Sequence, residues 1–370
     1  MSELDPTLGL MNKQWPNPAR AIFSAMGRTT ADYRYAYLIL IVHTATMGGL
    51  TWYLGVDPHY TTGTAYLRWS LVTIANLAFF YMLWLVLRML LQGNEHPTRA
   101  LKERMGQVLL ANDRLAHAIH STCIFVALIV VFANVKSTIP AISPFSWDET
   151  LIHLDRALFA GLDPYKVTGL VFGNIYGIVG LNFVYNLWLV IFVASMLWAP
   201  WTGNHTLRLR YILTALLTWF VGGNILAICF SSAGPCFVGL VTGDNTFEPL
   251  MKLLKEVDTE TGMVWALIAQ DMLWDAYSLN DGDISGISAM PSMHVAVSVV
   301  VACLAWEIGG IWRWLGAAFS GCIFIGSVQL GWHYASDGIV GGILALLFWK
   351  ASGYLAPWSL DHSSPVPEPA

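Results

Sequence analysis

Long apolar runs are the feature of this sequence that most restricts its fold. They occupy residues 35–55, 66–91, 117–135, 175–199, 208–230, 290–308, 312–331 and 335–355. A helix of about 20 apolar residues crosses the hydrocarbon core of a membrane. With 56% hydrophobic and 12% charged residues, the chain is too apolar for a soluble protein of 370 residues. We therefore expect an all-α, polytopic integral membrane bundle of about eight transmembrane helices.

The segments between these runs divide the chain into four parts. Residues 1–34 form a polar N-terminal arm, and residues 35–135 carry the first transmembrane helices. Residues 136–355 carry the remaining spans and the polar motifs described below. Residues 356–370 are rich in proline and serine, which predicts a disordered tail. The start of the chain lacks the short apolar core of a cleavable signal peptide.

Basic residues predict the orientation in the membrane. They cluster in the N-terminal arm, in the loop from Arg99 to Arg114 and in the turn with Arg208 and Arg210. The positive-inside rule therefore places both termini in the cytoplasm of a plasma or inner membrane. Counting crossings from there puts 136–174, 231–289 and 332–334 on the extracytoplasmic side.

Two of these outer segments have amphipathic character. Residues 151–159 within the segment 147–172 repeat apolar residues at helical spacing, and the acidic stretch 244–283 carries two further apolar patterns. Such helices are expected to lie along the membrane interface. The second segment would roof a site, so that a lipid enters from the bilayer and a polar co-substrate from water.

Charge and cysteine content exclude several classes of function. A net charge of −5 gives no sign of a nucleic-acid partner. The five cysteines fall mostly inside apolar runs and show neither a disulfide framework nor metal-ligand spacing. We expect no cofactor and no metal at the reaction centre.

Two histidines distant in sequence are predicted to meet at one membrane face. One apolar segment begins at His294 and ends at a Gly-Gly break at 309–310. A second apolar segment then crosses in the opposite direction and ends near His333. Each segment spans roughly 22 to 30 Å, so the two imidazoles return to a similar depth. Asp337 follows His333 by four residues, which places both side chains on one face if the segment is helical.

The residues around His294 favour binding of a phosphate. Pro291 suits the first turn of a helix, and Ser288 or Ser292 can cap its free N–H groups. The positive end of a helix dipole attracts anions. A neutral imidazole oriented by a carboxylate is a competent nucleophile, which fits His333 with Asp337, and a second imidazole can protonate a leaving oxygen, which fits His294.

The strings Pro291-Ser292-Met293-His294 and His333-Tyr334-Ala335-Ser336-Asp337 resemble signature motifs of the type 2 phosphatidate phosphatase superfamily. Within it, the pattern is most similar to the inositolphosphotransferase branch, which includes inositol-phosphorylceramide synthases. The resemblance implies a phosphohistidine mechanism and a catalytic membrane domain over 136–355. In it the histidine matching His333 attacks phosphorus, the aspartate matching Asp337 orients it, and the histidine matching His294 serves the leaving group.

The chain departs from the phosphatase members at two cationic positions. Their Lys-x6-Arg-Pro motif corresponds here to the stretch around Gly234-Pro235, and their arginine six residues before the second histidine corresponds to Ser327. Both cations would neutralise phosphate charge. Because the inositolphosphotransferase branch also lacks them, the departures favour a transferase acting on a phosphodiester or a lipid-linked phosphate.

Gly234, Pro235, Ser292, Ser327, Asp155 and Tyr185 are the candidate substrate contacts. Three classes of function remain open at this point. The first is a phosphotransferase that moves a phosphorylated head group, such as phosphoinositol, from a membrane lipid to a polar or lipid acceptor. The second is a phosphatase for lipid phosphates or polyprenyl (di)phosphates. The third is a non-catalytic or haem-binding membrane protein that uses His117 or His120. The sequence leaves the oligomeric state open.

Overall fold

A computed structural model describes residues 18–56, 60–92, 101, 113–279 and 286–361. Every regular element in these ranges is helical, which confirms the all-α prediction. The helices, numbered in chain order, are α1 Pro18–Thr29, α2 Arg34–Leu54, α3 Tyr60–Leu91, α4 Arg114–Lys136, α5 Ile139–Ile142, α6 Asp148–Leu158, α7 Pro164–Phe172, α8 Ile175–Trp198, α9 His205–Leu217, α10 Pro235–Thr242, α11 Glu248–Thr261, α12 Trp265–Ser278, α13 Met293–Ile308, α14 Trp312–Gln329 and α15 Ala335–Asp361. Helix α9 continues through a π-helical stretch, Thr218–Leu226, into Ala227–Cys229.

Five helical stretches in the described part of the chain are long and apolar enough to cross a membrane. They are Ile22–Leu54, Arg114–Lys136, Ile175–Trp201, His205–Cys229 and Ala335–Leu360. Two shorter apolar helical segments are Phe79–Leu91 and Met293–Ile308. These lengths are compatible with a membrane protein, but they do not confirm a count of eight spans, which stays a prediction.

The outer surface of the helices is apolar in many places. Trp52, Leu91, Leu170 and Tyr176 are each more than 80% exposed. Large apolar side chains at this level of exposure are unfavourable in water and are typical of surfaces that contact lipid or another protein. The exposed apolar surface therefore agrees with the composition in indicating a membrane environment.

The centre of the bundle is built by helices from the second half of the chain. Helix α13 packs against α14 and α15, α9 packs against α15, and α8 packs against α14. One buried core joins α4, α9, α13 and α15, with Tyr211, Leu216 and Val300 among its members. A second core lies beside the loops that carry the histidines and includes Ile323 and Tyr334.

Helices are present in both segments that were predicted to be amphipathic. The first contains α6 and α7, and the second contains α11 and α12, while residues 280–285 lie outside the described part. Helix α11 buries Leu250, Leu254 and Val257 in the core beside the histidine loops. Helix α12 also buries side chains in this core, so both helices of the second segment belong to the folded domain, and their interfacial position remains a prediction.

The ends of the chain differ from the predicted boundaries. The first candidate span begins at Ile22, inside the predicted N-terminal arm of residues 1–34. At the other end, α15 continues to Asp361, so the first residues of the predicted tail, 356–370, are helical. Residues 1–17 and 362–370 lie outside the described part.

Candidate active site

The structure places His294 and His333 next to each other. His294 is the second residue of α13, and His333 lies in the loop that connects α14 to α15. Their ring centroids are 5.8 Å apart, with the planes tilted by 56°. The two legs between them, α13 and α14, have 16 and 18 residues and are therefore similar in length. This is the convergence that the spacing of the two apolar runs predicted.

The ring of His333 is held by the backbone of another loop. Its Nδ1 lies 2.9 Å from the carbonyl oxygen of Ala289. Because a carbonyl can only accept, Nδ1 carries the hydrogen and the lone pair of Nε2 remains available. Burial and, to a smaller extent, the positive charge of Lys136 lower the pKa of His333 to about 3, although the hydrogen bond to Ala289 opposes this shift. His333 is therefore a neutral imidazole at physiological pH.

Asp337 is close to His333, but not through the helical geometry that we expected. Helix α15 begins at Ala335, so His333 precedes it by two residues. The Oδ2 atom of Asp337 accepts a hydrogen bond of 3.1 Å from the N–H of Tyr334, as the third residue of a helix does in a capping box. The same oxygen lies 3.5 Å from Nδ1 of His333. Asp337 thus fixes the loop and approaches the ring, whose hydrogen bond goes to Ala289.

Two aromatic side chains of α8 pack against the ring of His294. Its ring stacks on Tyr185 at a centroid distance of 4.8 Å and lies 4.5 Å from the Trp188 ring. The Trp188 indole also donates a hydrogen bond of 2.9 Å to the His294 carbonyl. Tyr185, a predicted substrate contact, therefore forms a wall of the site. Its buried hydroxyl has no hydrogen-bond partner within the described residues.

Ser292 caps the first turn of α13. Its Oγ accepts from the N–H of Val295 at 3.4 Å, and its own N–H donates to the carbonyl of Asp337 at 3.1 Å. The cap was expected, but Pro291 lies before the helix rather than in its first turn. Ser292 therefore joins the starts of α13 and α15, and its buried side chain is occupied by this role.

Gly234 allows three loops to approach closely. It has a φ of +94°, and a Cβ there would lie 2.9 Å from the carbonyl oxygen of Trp332 and 3.0 Å from Ala289 Cβ. Pro235 is buried at the start of α10. The loop carrying both residues therefore contacts the loops that carry His333 and precede His294. A direct contact of Gly234 or Pro235 with phosphate stays a prediction.

Helix α6 contributes a buried carboxylate, Asp148, that sequence reasoning did not single out. Its two oxygens accept hydrogen bonds of 2.9 Å from the N–H groups of Ala233 and Gly234. One of them also accepts a bond of 2.8 Å from the hydroxyl of Tyr334. Burial and the adjacent Asp148 raise the pKa of Tyr334, so this hydroxyl keeps its proton and remains a donor. Asp148 therefore connects two of the site loops.

Asp155 has a similar role about two turns further along the same face of α6. Its oxygens accept hydrogen bonds of 2.8 Å from the N–H groups of Ala335 and Ser336, the first two residues of α15. Burial raises the pKa of Asp155 even though these bonds oppose the shift. Because both oxygens are occupied, this geometry supports a capping role for Asp155 instead of the predicted contact with a polar substrate. Asp148 and Asp155 lie at helical spacing on the same face as the apolar residues of α6. This was the signal in the sequence that could have indicated two buried carboxylates.

Ser327 acts through its backbone. Its hydroxyl donates to the carbonyl of Phe324 at 2.7 Å. Its carbonyl accepts hydrogen bonds of 3.0 Å from the N–H groups of Trp332 and His333. Ser327 therefore positions the His333 loop, and its hydroxyl does not take the place of the arginine found in the phosphatase members.

The histidines of the haem interpretation lie elsewhere. His117 and His120 are in the first turns of α4, and their Nδ1 atoms lie 3.1 and 2.6 Å from the hydroxyls of Tyr33 and Tyr37. Both rings are therefore held by hydrogen bonds between helices, which is the ordinary role of a histidine in a membrane bundle.

Among the described residues, one group of side chains could hold a metal ion. Ligand atoms of Asp32, His117 and His205 lie within 4.8 Å of one another. The guanidinium of Arg208 interacts electrostatically with the same two imidazoles, which opposes a cation. This group lies near the start of α4, about 28 Å along the helix axis from Lys136 at its end, and is thus remote from His294 and His333.

Comparison with known proteins agrees with the motifs and the geometry. The sequence model of the PAP2 superfamily matches residues 149–351, which is more than half of the chain and includes His294, His333 and Asp337. No curated protein and no solved structure matches the chain. The matched region covers α7 to α14 with most of α6 and α15, so it contains both histidines and most of the helices that pack around them, while α4 lies outside it. The chain therefore belongs to the PAP2 superfamily.

Proposed function

We propose that this protein is a membrane phosphotransferase that moves a phosphorylated head group from a lipid donor to an alcohol acceptor. Membership of the PAP2 superfamily indicates a phosphatase or phosphotransferase type of activity. The observation that carries the proposal is the pairing of His294 and His333 at a centroid distance of 5.8 Å, with Nδ1 of His333 engaged and Nε2 available. A neutral imidazole fixed in one orientation is suited to attack phosphorus.

In the first half of the reaction, Nε2 of His333 attacks the phosphorus of the donor lipid. The P–N bond forms as the P–O bond to the leaving alcohol breaks, and His294, in its protonated imidazolium form, donates a proton to that oxygen and becomes neutral. In the second half, His294 removes the proton of the acceptor hydroxyl. The acceptor oxygen then attacks phosphorus, the P–N bond breaks, and neutral His333 is regenerated. The N–H groups of Met293 and His294, to which no acceptor within the described residues is assigned, can bind phosphate oxygens.

The donor is a phosphodiester in this proposal, and phosphoinositol is the head group that the motif pattern favours. Two cations of the phosphatase members are missing at Ser327 and around Gly234. The site therefore offers less positive charge than hydrolysis of a phosphomonoester dianion requires. The close alternative is a phosphatase for lipid phosphates or polyprenyl (di)phosphates, which superfamily membership supports equally.

We further propose that the site faces the extracytoplasmic side and that both termini are cytoplasmic. The distribution of basic residues supports this orientation. Helix α12 contacts the site, because Gln270 donates a hydrogen bond of 3.0 Å to the carbonyl of Leu330, three residues before His333. Helices α11 and α12 should therefore lie on the same side of the membrane as the site. Labelling of single cysteines introduced in α11 tests the orientation, and reaction only from the cytoplasmic side would contradict it.

Trapping of the covalent intermediate tests the reaction. Purified protein is mixed with lipid labelled with ³²P in its head group, quenched in base and mapped, with His333→Ala as the comparison. We expect acid-labile label on His333 in the wild type and none in the variant. Dependence of product formation on an added polyol or ceramide then distinguishes a transferase from a phosphatase. Turnover without any label on a histidine would contradict the mechanism.

A further inference from the structure

Lys136 lies at the edge of the paired histidines, outside the matched family region. It is the last residue of α4, and the loop that leads to His294 passes directly over its backbone. A Cβ on Gly286 of that loop would lie 2.6 Å from the carbonyl oxygen of Lys136 and 2.7 Å from the Cα of Ser137. Three residues after Gly286, Ala289 accepts the hydrogen bond of His333. The end of α4 is therefore part of the wall of the site.

The side chain of Lys136 folds back over its own helix. Its ammonium nitrogen lies 5.9 Å from the ring centroid of Phe132, one turn earlier, and the residue is partly buried. From this position its positive charge interacts with both imidazoles, those of His294 and His333. A single cation that acts on both imidazoles would also attract the negative charge of a phosphate held between them.

This charge has no counter-ion within the described residues. Three other cations, on α6, α7 and α11, do have one. Arg156 and Lys166 both contact Asp163, at 2.6 and 2.7 Å, and Lys252 lies 4.0 Å from Glu256. No carboxylate of the described chain is within 4.0 Å of the Lys136 ammonium by the same measure. An unneutralised, partly buried ammonium is costly unless a ligand neutralises it.

We infer that Lys136 binds the non-bridging oxygens of the phosphate that lies between His294 and His333. It thereby supplies the positive charge that the signature arginine and lysine supply in the phosphatase members. The inference rests on the proposed function and specifies its substrate class. One ammonium balances the single charge of a phosphodiester and leaves one charge of a phosphomonoester dianion uncompensated. The neutral donors around it, such as the unpartnered hydroxyl of Tyr185, add hydrogen bonds but no charge.

The test compares Lys136→Met, which removes the charge at similar length, with Lys136→Arg, which retains it. Lys252→Met is the matched control, because Lys252 is an exposed lysine of α11 on the same side of the bundle. The probes are phosphatidylinositol as the diester and phosphatidate as the monoester. We expect kcat/KM for the diester to fall by about 100-fold in Lys136→Met, as for the loss of one group that stabilises transition-state charge. Lys136→Arg should recover at least a tenth of wild-type activity, and Lys252→Met should stay within about twofold.

A second readout separates charge from structure. Loss of the ammonium removes a charge that disfavours protonation of His333, so the acid limb of the rate profile should move to higher pH in Lys136→Met and not in Lys252→Met. Wild-type kinetics and an unmoved profile in Lys136→Met, with the wild type active, would overturn this inference alone. A wild type that acquires no label on His333 and converts neither lipid would overturn the proposed function and this inference with it.

Discussion

The Nδ1 atom of His333 lies 2.9 Å from the carbonyl oxygen of Ala289, while the nearest carboxylate oxygen, on Asp337, is 3.5 Å away. The backbone carbonyl is therefore the principal hydrogen-bond acceptor that orients the ring. A carbonyl fixes the tautomer as well as a carboxylate does, but it carries no full negative charge. The motif pattern suggests that Asp337 alone orients His333. In the structure the His333 ring has two acceptors nearby, the closer Ala289 carbonyl and the more distant Asp337 carboxyl.

Asp337→Asn should lower kcat by about 100-fold, towards the smaller end of the effects seen when an orienting carboxylate is lost. The ring keeps its bond to Ala289, but the developing positive charge on the imidazole loses the carboxyl oxygen that lies 3.5 Å from Nδ1. The amide of the variant can also turn its NH₂ group towards the N–H of Tyr334 and disturb the loop. Rapid-quench measurement of label on His333 checks the first half-reaction. A loss as complete as that in His333→Ala would show that Asp337 is indispensable and that Ala289 does not hold the ring alone.

His294→Ala should discriminate between substrates by their leaving groups. In the proposed reaction the imidazole protonates the departing oxygen, so a lipid alcohol with a high pKa should react at least about 100-fold more slowly. A p-nitrophenyl phosphodiester needs little protonation and should retain most of its rate in the first half-reaction. Because the Tyr185 and Trp188 rings pack on His294, the control is His294→Gln, which preserves more of the side-chain volume. Equal losses for both substrates would assign His294 a role other than that of a general acid.

The coarse arrangement of this site could be predicted because it depends on periodic features of the chain. Two apolar legs of similar length bring His294 and His333 to the same depth, whatever the side-chain packing. The number of membrane spans was harder to predict from the sequence. Met293–Ile308 is an apolar helix only 16 residues long, so length and composition do not decide whether it crosses a membrane.

The contacts that hold the site together were not predictable, because they join segments through backbone groups. The carbonyl of Ala289 and the N–H groups of Ala335 and Ser336 carry no residue-specific signal. The sequence alone therefore predicts a substrate contact for Asp155. Lys136 was overlooked for a different reason: it comes more than 150 residues before His294, and only the packing of α4 against the Gly286 loop brings it near.

The buried carboxylates of α6 should matter for stability as well as for activity. Asp148→Ala leaves the N–H groups of Ala233 and Gly234 without their acceptor and removes the partner of the Tyr334 hydroxyl. Buried donors left unpaired cost roughly 1–3 kcal/mol each. We expect the unfolding temperature in detergent to fall by about 5 °C or more. Glu149→Ala is the matched control, since Glu149 is the next residue on the helix and its side chain is 89% exposed. If both variants unfold at the wild-type temperature, the loops do not depend on Asp148.

The low pKa of His333 predicts an unusual response to acid. In the unfolded chain this imidazole has a pKa of about 6.5, and in the folded protein the pKa is about 3. Between these values the unfolded chain binds a proton that the folded chain excludes. This contribution favours folding fully above pH 6.5 and is lost progressively as the pH falls towards 3. Nε2 of His333, the proposed nucleophile, stays unprotonated throughout that interval. We therefore expect the rate of His333 labelling by a p-nitrophenyl phosphodiester to stay level from pH 7 to about 5, while the unfolding temperature decreases over the same range.

The control is His333→Gln, whose side chain does not titrate. In this variant the unfolding temperature should decrease less over the same pH range. An acid limb of the wild-type labelling rate centred near pH 6.5 would show that the ring is more accessible to water than its burial implies.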